Sequence, residues 1–306
     1  MVYADVMNIK RKKIVFVYNP ISGSRRLIPV LPIIERFVNR DLYDYSIVST
    51  EYKGHATELA RKYAAKQYDA VIAVGGDGTV NEVGCGLIGT DTALGIIPCG
   101  SGNGLARHLG IPMDPFKAVK WLDKSIFTEI DYGMMGDQPF FCTCGVGFDA
   151  KVSDSFSKAG SRGVLTYLES IMKEIATYHN ETYKLSFDNS SETFEAFFIT
   201  CANADQWGNN AYIAPTASLQ DGILDVIAAH PFNVVDAPLI AFQLFNKQIH
   251  KNPKVSVRKC RRVTITRDSE GPAHYDGEPV MLGKEIHIEI VSRGLKVLIP
   301  DRHRGI

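Results

Sequence analysis

Apolar and polar residues are patterned in two different ways along this chain, and the change comes near residue 131. Before it, short continuous apolar runs are separated by segments whose apolar residues recur every three or four positions. The runs predict buried strands at residues 14–18, 45–48, 70–74 and 94–97. The periodic segments predict helices at residues 27–38, 55–65 and 79–87. Because this order is typical of βαβ units, the first part is predicted to be an α/β domain with a parallel sheet.

Beyond Asp131 the sequence becomes richer in Thr, Val and Phe, with short runs divided by turns. These runs lie at 140–144, 193–203, 223–228, 263–267 and 286–291, and helical stretches lie near 164–177 and 234–245. The pattern predicts a second, antiparallel and β-rich domain of the sandwich type. We therefore expect an α/β domain over residues 1–133 and a β-rich domain over 134–306. The last apolar run, 295–299, could close the second domain or return to the first.

Composition agrees with two globular domains, because 306 residues exceed what one hydrophobic core usually serves. The 34 basic and 34 acidic residues cancel, so no overall field draws the chain to nucleic acid or to an anionic membrane. No apolar run approaches the ~18 residues of a spanning helix, and residues 1–13 lack the apolar core of a secretory signal. The six cysteines form no C-x-x-C pair. We expect a cytoplasmic protein with reduced, mainly buried thiols.

The strongest chemical signal is a glycine-rich turn, residues 73–82, that leaves a predicted buried strand and enters a helix. Gly75 and Gly76 lack a Cβ, so their backbone amides can approach phosphate oxygens, and the helix start near Thr79 adds exposed N–H groups. Asp77 would repel phosphate unless a divalent cation or a transferable proton lies between them. The alternative interpretation is a simple tight turn with Thr79 as a helix cap.

Two further turns of small residues argue against that alternative. One, residues 19–23, follows the first strand, and the other, residues 98–104, follows the fourth. Because ligands of open α/β sheets bind beyond the carboxyl ends of the strands, we expect the turns to converge on one site. The sequence lacks the P-loop, the dinucleotide fingerprint, the protein-kinase signatures, the nucleophile elbow and the H-E-x-x-H zinc motif.

Taken together, these motifs resemble the diacylglycerol kinase catalytic family, which includes bacterial lipid kinases, sphingosine kinases and ceramide kinases. The matching segments occur in order over nearly the whole chain: N-P-x-S-G at 19–23, S-T-E at 49–51 with G-H-A at 54–56, G-G-D-G-T-V-N-E at 75–82, P-x-G-S-G-N at 98–103 and Y-D-G-E-P at 275–279. The G-G-D-G-T element by itself is shared with NAD kinases. The resemblance implies magnesium-dependent transfer of the ATP γ-phosphoryl group to a hydroxyl of a membrane lipid, either diacylglycerol or a sphingoid base.

The same resemblance assigns roles to individual residues. It implies that the nucleotide contacts Asn19, Pro20, Ser22, Gly23, Thr50, Gly75, Gly76, Gly78, Thr79, Asn81, Glu82, Gly100, Ser101 and Asn103. Asp77, Asp276 and Glu278 would surround the reacting centre. We expect Glu278 to be the general base that deprotonates the lipid hydroxyl, with Asp77 as the rival. The first domain would then hold ATP and the second would hold the lipid.

Two further assignments from the resemblance have alternatives of equal weight. Ser218, Asp221 and Ile223 lie where bacterial diacylglycerol kinases hold a structural magnesium, but a turn before a strand explains the same residues. Lys158 and Arg162 lie where related kinases place basic residues that reach the nucleotide phosphates, but solvated loop charges explain them equally well.

The sequence departs from the bacterial pattern at Gly104, where an Asp is usual, and here it is closer to sphingosine kinases. The acceptor lipid therefore stays open.

The densest basic segment, residues 247–262, follows the apolar stretch 232–245. It indicates either contact with the inner face of a membrane or, the interpretation we favour, a solvated strand face. A homodimer is also left open. Two rival functions are an NAD kinase and a catalytically silent regulator that binds lipid or nucleotide.

Overall fold

The computed structural model describes residues 11–20, 30–148, 150, 178–233 and 235–301. Its first described elements are four strands and three helices: β1 (Lys12–Tyr18), α1 (Val30–Phe37), β2 (Tyr43–Ser49), α2 (His55–Ala65), β3 (Ala70–Gly75), α3 (Asp77–Leu87) and β4 (Ala93–Pro98). The strands are parallel in the order β2-β1-β3-β4. All residues of β3 and β4 are buried, as in central strands covered by helices on both faces. This confirms the predicted parallel-sheet α/β domain.

Helix α2 has the predicted bounds, but α3 begins two residues earlier than predicted, at Asp77. An acidic residue in the first helical turn is favourable because it faces the positive end of the helix dipole. The two helices that follow were not predicted: α4 (Gly104–His108) and α5 (Pro115–Trp121). Both are too short to produce a clear periodic pattern, although Asp114 caps α5 by accepting a 2.9 Å hydrogen bond from the Lys117 N–H.

Two long strands join the halves of the molecule. β5 (Ser125–Met135) and β16 (Glu285–Pro300) pair antiparallel along most of their length. The first part of β16 pairs with β13 (Arg262–Arg267), whereas Val297 near its end pairs in parallel with Leu94 of β4. The last apolar run therefore returns to the first domain, where its side chains join the core. The division at residue 133 falls within β5 and stays a proposal.

The second half is built from antiparallel strands. β8 (Glu181–Ser186) and β9 (Ser191–Ala196) extend the first sheet beyond β13, and β6 (Gln138–Phe140) pairs with β5. A second sheet has the order β12-β11-β10-β7-β14-β15, formed by β7 (Thr143–Gly147), β10 (Phe198–Ala202), β11 (Leu224–Ala229), β12 (Val255–Cys260), β14 (Gly271–Tyr275) and β15 (Glu278–Leu282). Among the described residues, no helix has both the length and the apolar character needed to cross a membrane.

The central strands of the second sheet, β7, β10 and β11, are buried on both faces. On β10, Ile199 and Cys201 point into the core between the sheets, whereas Phe198 and Ala202 point into a cluster beneath α6 (Ala237–Phe245). This confirms the predicted β-rich, sandwich-like domain. Treating 193–203 as one run was wrong, because it spans β9 of the first sheet and β10 of the second. The run 140–144 likewise spans the end of β6 and the start of β7. None of the six cysteines forms a disulfide bond.

Candidate active site

The first glycine turn joins β3 to α3. Gly76 is the N-cap of α3, and Thr79 folds back beneath the turn, where it is 5% exposed. A Cβ added to Gly75 would lie 2.5 Å from Thr79 Oγ1, so only glycine fits at position 75. The start of α3 presents backbone N–H groups and the positive end of the helix dipole. Such a helix start suits an anionic group.

The second glycine turn lies against the first. Cys99 donates its backbone N–H to the carbonyl of Gly75 at 2.8 Å, and a Cβ on Gly100 would lie 2.8 Å from Gly76 Cα. Asn103 has a left-handed backbone (φ 50°), and its side-chain amide donates to the carbonyl of Gly100. The structure therefore brings the two predicted turns into backbone contact. The exposed Ser101 lies at the tip of the second turn.

Asp77 fastens the two turns together. Its Oδ2 accepts a 2.7 Å hydrogen bond from the Asn103 N–H, and its Oδ1 accepts a 2.8 Å bond from the Gly104 N–H. A Cβ on Gly102 would lie only 2.6 Å from Asp77 Oδ2. Both carboxylate oxygens are thus engaged in holding the turn. Sequence analysis could not show this role, because the bonded groups lie more than 25 residues apart.

The glycine at position 104 has a packing reason. A Cβ at Gly104 would lie 3.3 Å from Cys142 Sγ and 3.5 Å from the Gln206 carbonyl oxygen, so a larger side chain would meet both. The loop 206–210 closes over the second turn here, since the Asn209 N–H donates to the Gly102 carbonyl at 3.1 Å. Gly104 therefore belongs to the contact between this loop and the glycine turn.

The predicted nucleotide residues of the first and second strand ends also reach this edge of the sheet. Asn19 donates its side-chain amide to Thr79 Oγ1 at 3.3 Å and its backbone N–H to the Val74 carbonyl at 3.2 Å. Thr50 is buried and donates its backbone N–H to the Tyr18 carbonyl at 2.9 Å, while Pro20 is exposed. The remaining predicted residues Ser22, Gly23, Lys158 and Arg162 lie outside the described residues.

Glu82 faces the start of α2. Its two carboxylate oxygens accept hydrogen bonds from the Gly54 N–H at 2.9 Å and the Ala56 N–H at 3.2 Å. Thr57 donates its hydroxyl to the Glu82 carbonyl at 2.8 Å. Glu82 thereby caps α2 and fixes the segment after Thr50. Its predicted contact with the nucleotide stays a prediction, and these bonds favour an indirect, positioning role.

Asp276 lies in the turn between β14 and β15, and its carboxylate accepts hydrogen bonds from four donors. They are the side-chain amide of Asn81 at 2.8 Å and the backbone N–H groups of Phe141 at 2.9 Å, Cys142 at 2.7 Å and Thr143 at 3.2 Å. Burial raises the pKa of Asp276, and these four bonds oppose that rise. The carboxylate therefore ties the turn to α3 and to residues 141–143. This arrangement favours a positioning role over the predicted direct contact with the reacting atoms.

Glu278 stands in a different environment, two residues further along. Its Oε2 accepts a 2.9 Å bond from Lys53 Nζ, and a Cβ on Gly78 would lie 3.4 Å from Glu278 Oε1. The Glu278 side chain is 37% exposed and that of Lys53 is 82% exposed. Glu278 raises the pKa of Lys53, chiefly through their hydrogen bond. A solvent-facing carboxylate thus lies beside the first turn of α3.

The predicted magnesium loop is a hydrogen-bonded turn. Ser218 Oγ accepts from the Gln220 N–H at 3.2 Å, and Asp221 Oδ1 accepts from the Ile223 N–H at 3.1 Å. Asp131, which is fully buried, pins the turn by accepting from the Gly222 N–H at 2.7 Å. Within the described part of the chain, no three His, Cys, Asp or Glu residues are grouped to hold a metal ion. A site built from backbone and hydroxyl oxygens would not produce such a group, so the magnesium assignment stays a prediction.

Three residues of the site were missed by sequence reasoning. Lys53 lies in the matched segment after Thr50, but nothing local indicates its partner Glu278, which is 225 residues away. Arg107 donates to the Gly102 carbonyl at 2.8 Å and to Asn210 Oδ1 at 3.0 Å, tying the loop 206–210 to the second turn. Asp131 marked only the change in sequence pattern. No sequence signal distinguishes these residues from solvated charges.

Two family models match the chain. The model "Diacylglycerol kinase catalytic domain" matches residues 13–135, and "YegS C-terminal NAD kinase beta sandwich-like domain" matches residues 142–299. Together they cover both the glycine turns and the turn that carries Asp276 and Glu278.

Similar proteins agree with these models. The chain is 28% identical to "Diacylglycerol kinase" of Bacillus subtilis, over 88% of this chain and 90% of the relative. It is 31% identical to "Probable lipid kinase YegS-like" of Chromohalobacter salexigens, over 74% of this chain and 75% of the relative. A crystal structure of a diacylglycerol kinase from Bacillus anthracis has the same fold, with a TM-score of 0.70, 22% identity and coverage of 95% of this chain and 98% of that chain. The chain therefore belongs to the diacylglycerol kinase catalytic family, and it is a lipid kinase.

Proposed function

We propose that this lipid kinase uses ATP as the phosphoryl donor and a hydroxyl of a membrane lipid as the acceptor. One observation carries the proposal: two interlocked glycine turns at the start of α3 face the solvent-exposed carboxylate of Glu278. The proposed phosphate cradle of the α/β half and a carboxylate of the β-rich half that can accept a proton thereby lie side by side, and we call the space around them the cleft. Phosphoryl transfer requires this combination of positioning and charge.

The phosphate side of the cleft has room for a ligand at Gly76. A Cβ there would have only backbone neighbours, with Gly100 Cα nearest at 3.5 Å, which is an ordinary contact distance. Glycine at this position is therefore not required by the packing of the protein itself. A close approach of phosphate oxygens to the backbone would explain it.

The proton-accepting role is better supported for Glu278 than for Asp77. Asp77 uses both carboxylate oxygens to hold the second turn, and Asp276 is engaged by four donors. Among the described residues, the Glu278 side chain has one hydrogen-bond partner, Lys53. In the proposed step, the lipid hydroxyl oxygen attacks the γ-phosphorus as its proton passes to Glu278, the bond to the β-phosphate oxygen breaks, and ADP leaves.

Magnesium would accompany the nucleotide. Mg²⁺ in kinase sites usually keeps several waters and uses one or two carboxylates together with the phosphates. Asp77, at the start of α3 beside the proposed phosphate position, is the residue that would hold it. When bound, the ion would neutralise part of the phosphate charge. Asp77 would still hold the second turn in place through its two backbone bonds.

Diacylglycerol is the acceptor we favour, because several relatives are named diacylglycerol kinase. Gly104, the position that resembled sphingosine kinases, packs against Cys142 and the Gln206 carbonyl. Since this contact is internal, the glycine gives no reason to prefer a sphingoid base. The sphingoid base remains the second acceptor to test.

The test is a kinase assay with labelled ATP and three acceptors presented separately: diacylglycerol micelles, sphingosine micelles and soluble NAD. We expect label in a lipid. Gly76→Ala should raise the KM for ATP at least tenfold without lowering the melting temperature. Gly283→Ala, where a Cβ meets nothing within 4 Å, is the matched control. An unchanged KM for ATP in Gly76→Ala would place the cradle elsewhere, and label only in NAD would refute a lipid acceptor.

A further inference from the structure

The outer side of α6 exposes an unusual concentration of large apolar side chains. Val235 is 87% exposed, Leu239 54%, Phe242 59% and Phe245 57%. These four are among nine large apolar residues that are exposed in the described part of the chain, and they lie within eleven residues. We call them, with Lys247 and Lys251, the α6 face. Scattered exposed apolar residues need no explanation, but a contiguous group of this kind indicates a contact surface.

The opposite side of α6 is anchored on the β-rich domain. Ile240 is buried in the cluster that contains Phe197 and Phe198, and Leu244 packs against the same cluster. The Tyr212 N–H also donates to the Leu244 carbonyl at 3.0 Å. The helix is therefore apolar on both sides. One side already has its partner within the protein, while the α6 face is exposed.

The charges near α6 separate into paired and unpaired groups. Lys254 bonds to Asp236 at 2.6 Å and Lys259 to Asp225 at 2.6 Å. Arg258 and Arg262 also meet carboxylates. Of the residues that the structure describes, none forms a salt bridge with Lys247 or Lys251, the two lysines next to α6. Lys247 makes a small contribution to lowering the pKa of Asp205, whose salt-bridge partner is His108. Asp236 is the one acidic residue between 231 and 251, and Lys254 neutralises it. The α6 face thus has an apolar centre and a positive rim.

The α6 face is connected to the active site through one loop. Lys247 Nζ lies 4.2 Å from the ring centroid of Tyr212, next to the Tyr212–Leu244 hydrogen bond. Tyr212 directly follows the loop 206–210, which closes on the second glycine turn. There Gly208 packs against Gly102, and the Asn209 N–H donates to the Gly102 carbonyl. In the part of the chain that the structure describes, this loop contacts both α6 and the turn that Asp77 holds. A surface contacted by α6 would therefore lie close to the cleft.

We propose that the α6 face docks on an anionic lipid bilayer and so brings the cleft to its substrate. The proposal rests on the proposed function, because it supposes an acceptor that resides in a membrane. Phe and Leu on one side of a helix with lysines at its edge suit the boundary between acyl chains and head groups. Each unpaired lysine near an anionic surface should strengthen partitioning about fivefold. A second copy of this chain would present the same positive rim, so its lysines would repel one another.

Docking is tested by sedimentation with vesicles of phosphatidylcholine alone or with phosphatidylglycerol, without ATP or acceptor. Wild type should bind the anionic vesicles, and Phe242→Ser/Phe245→Ser and Lys247→Ala/Lys251→Ala should each weaken binding at least tenfold. Phe127→Ser, an exposed phenylalanine on β5, is the control and should bind like wild type. All variants should phosphorylate a water-soluble short-chain diacylglycerol at the wild-type rate. This readout tests the chemistry independently of docking.

Three results would overturn the proposal. The first is no binding of wild type to anionic vesicles, and the second is equal binding by the Phe242→Ser/Phe245→Ser variant. The third is a wild-type dimer in analytical ultracentrifugation that the phenylalanine substitutions convert to a monomer while vesicle binding is unchanged. If the wild-type protein does not phosphorylate the soluble acceptor, the proposed function is refuted instead, and the vesicle-binding result is unaffected.

Discussion

The α/β and β-rich sides of the candidate active site hold their carboxylates in contrasting ways. On the α/β side, Asp77 and Glu82 each use both oxygens to accept backbone N–H groups from another segment. On the β-rich side, Asp276 accepts four hydrogen bonds, but Glu278 meets one exposed lysine, Lys53. Glu278 is therefore the acid of this group with the fewest internal partners.

This difference separates residues that build the cleft from a residue that can act in it. A hydrogen bond to a charged group contributes about 1.5–3 kcal/mol, and an unpaired buried donor costs a similar amount. Removing a saturated carboxylate should therefore destabilise the fold. Removing Glu278 should leave the fold intact and affect turnover. The two effects can be measured separately.

The largest effect is expected for Asp276→Ala. Four donors would lose their acceptor, so unfolding should become easier by at least about 3 kcal/mol, with a fall in melting temperature of roughly 10 °C. Asp276→Asn keeps one acceptor oxygen, so its melting temperature should fall less. Thermal melting checks both, with the exposed Asp268→Ala as control. A wild-type melting temperature in Asp276→Ala would show that the turn is held by other contacts.

Glu278→Gln should lower turnover without lowering stability. Turnover should fall roughly 10²- to 10⁴-fold, as expected when a general base is lost, while the melting temperature stays within about 1 °C, because a single exposed ion pair contributes little. Steady-state kinetics and melting on the same sample check this, with the exposed Glu270→Gln as control. If the variant turns over like wild type, the proton goes elsewhere, and Asp77 becomes the next residue to test.

Much of the fold was predictable because its signals are local. Continuous apolar runs marked β1 to β4, and periodic residues marked α2 with the observed bounds. The split of 193–203 into β9 and β10 was not predictable, because the chain changes sheets there without glycine, proline or another turn residue. The long pairing of β5 with β16 also joins residues too distant for any local pattern.

The site was predictable as a set of residues but not as a set of roles. Local turn chemistry and the motifs identified Asp77, Asp276 and Glu278 together. Their different partners come from the topology: the backbone donors to Asp276 lie 133 to 135 residues away, and Lys53 lies 225 residues from Glu278. Since sequence shows residue types but not these contacts, it does not distinguish a carboxylate that holds a turn in place from one that could act as a general base.

A smaller effect is expected when Lys53, which donates a hydrogen bond to Glu278, is replaced. Lys53→Met should lower kcat/KM about three- to tenfold, because the carboxylate loses the bond that orients it, and Lys53→Arg should restore most of it. The pair is exposed, so salt should screen it. Wild-type kcat/KM should therefore fall with ionic strength, and that of Lys53→Met should respond less. Equal salt dependence in both proteins would show that the ion pair does not act on Glu278.

The smallest effect concerns two thiols of the α/β half: Cys99 begins the second glycine turn, and Cys85 contacts Asn81, a partner of Asp276. Burial, with a smaller contribution from the Asp276 carboxylate, raises the pKa of Cys85 to about 12, and burial raises the pKa of Cys99 to about 11. Because the thiolate is the reactive form and a raised pKa keeps the thiol protonated, both should react at pH 8 roughly a hundredfold or more slowly than an unperturbed thiol. Labelling with iodoacetamide followed by peptide mass spectrometry measures each site.

The labelling rates of the two thiols also report separately on the contacts of Asp77 and on those of Asp276. In Gly102→Ala the new Cβ would press on Asp77 at 2.6 Å and loosen the second turn, so labelling of Cys99 should rise while Cys85 stays slow. In Asp276→Asn the order should reverse, because Cys85 bonds to Asn81, which itself donates to Asp276. Denatured protein, in which both thiols should react at the ordinary rate, is the control. If both variants label both thiols equally fast, the contacts of Asp77 and of Asp276 loosen together. The two sides would then differ in their hydrogen bonds but not in their local stability.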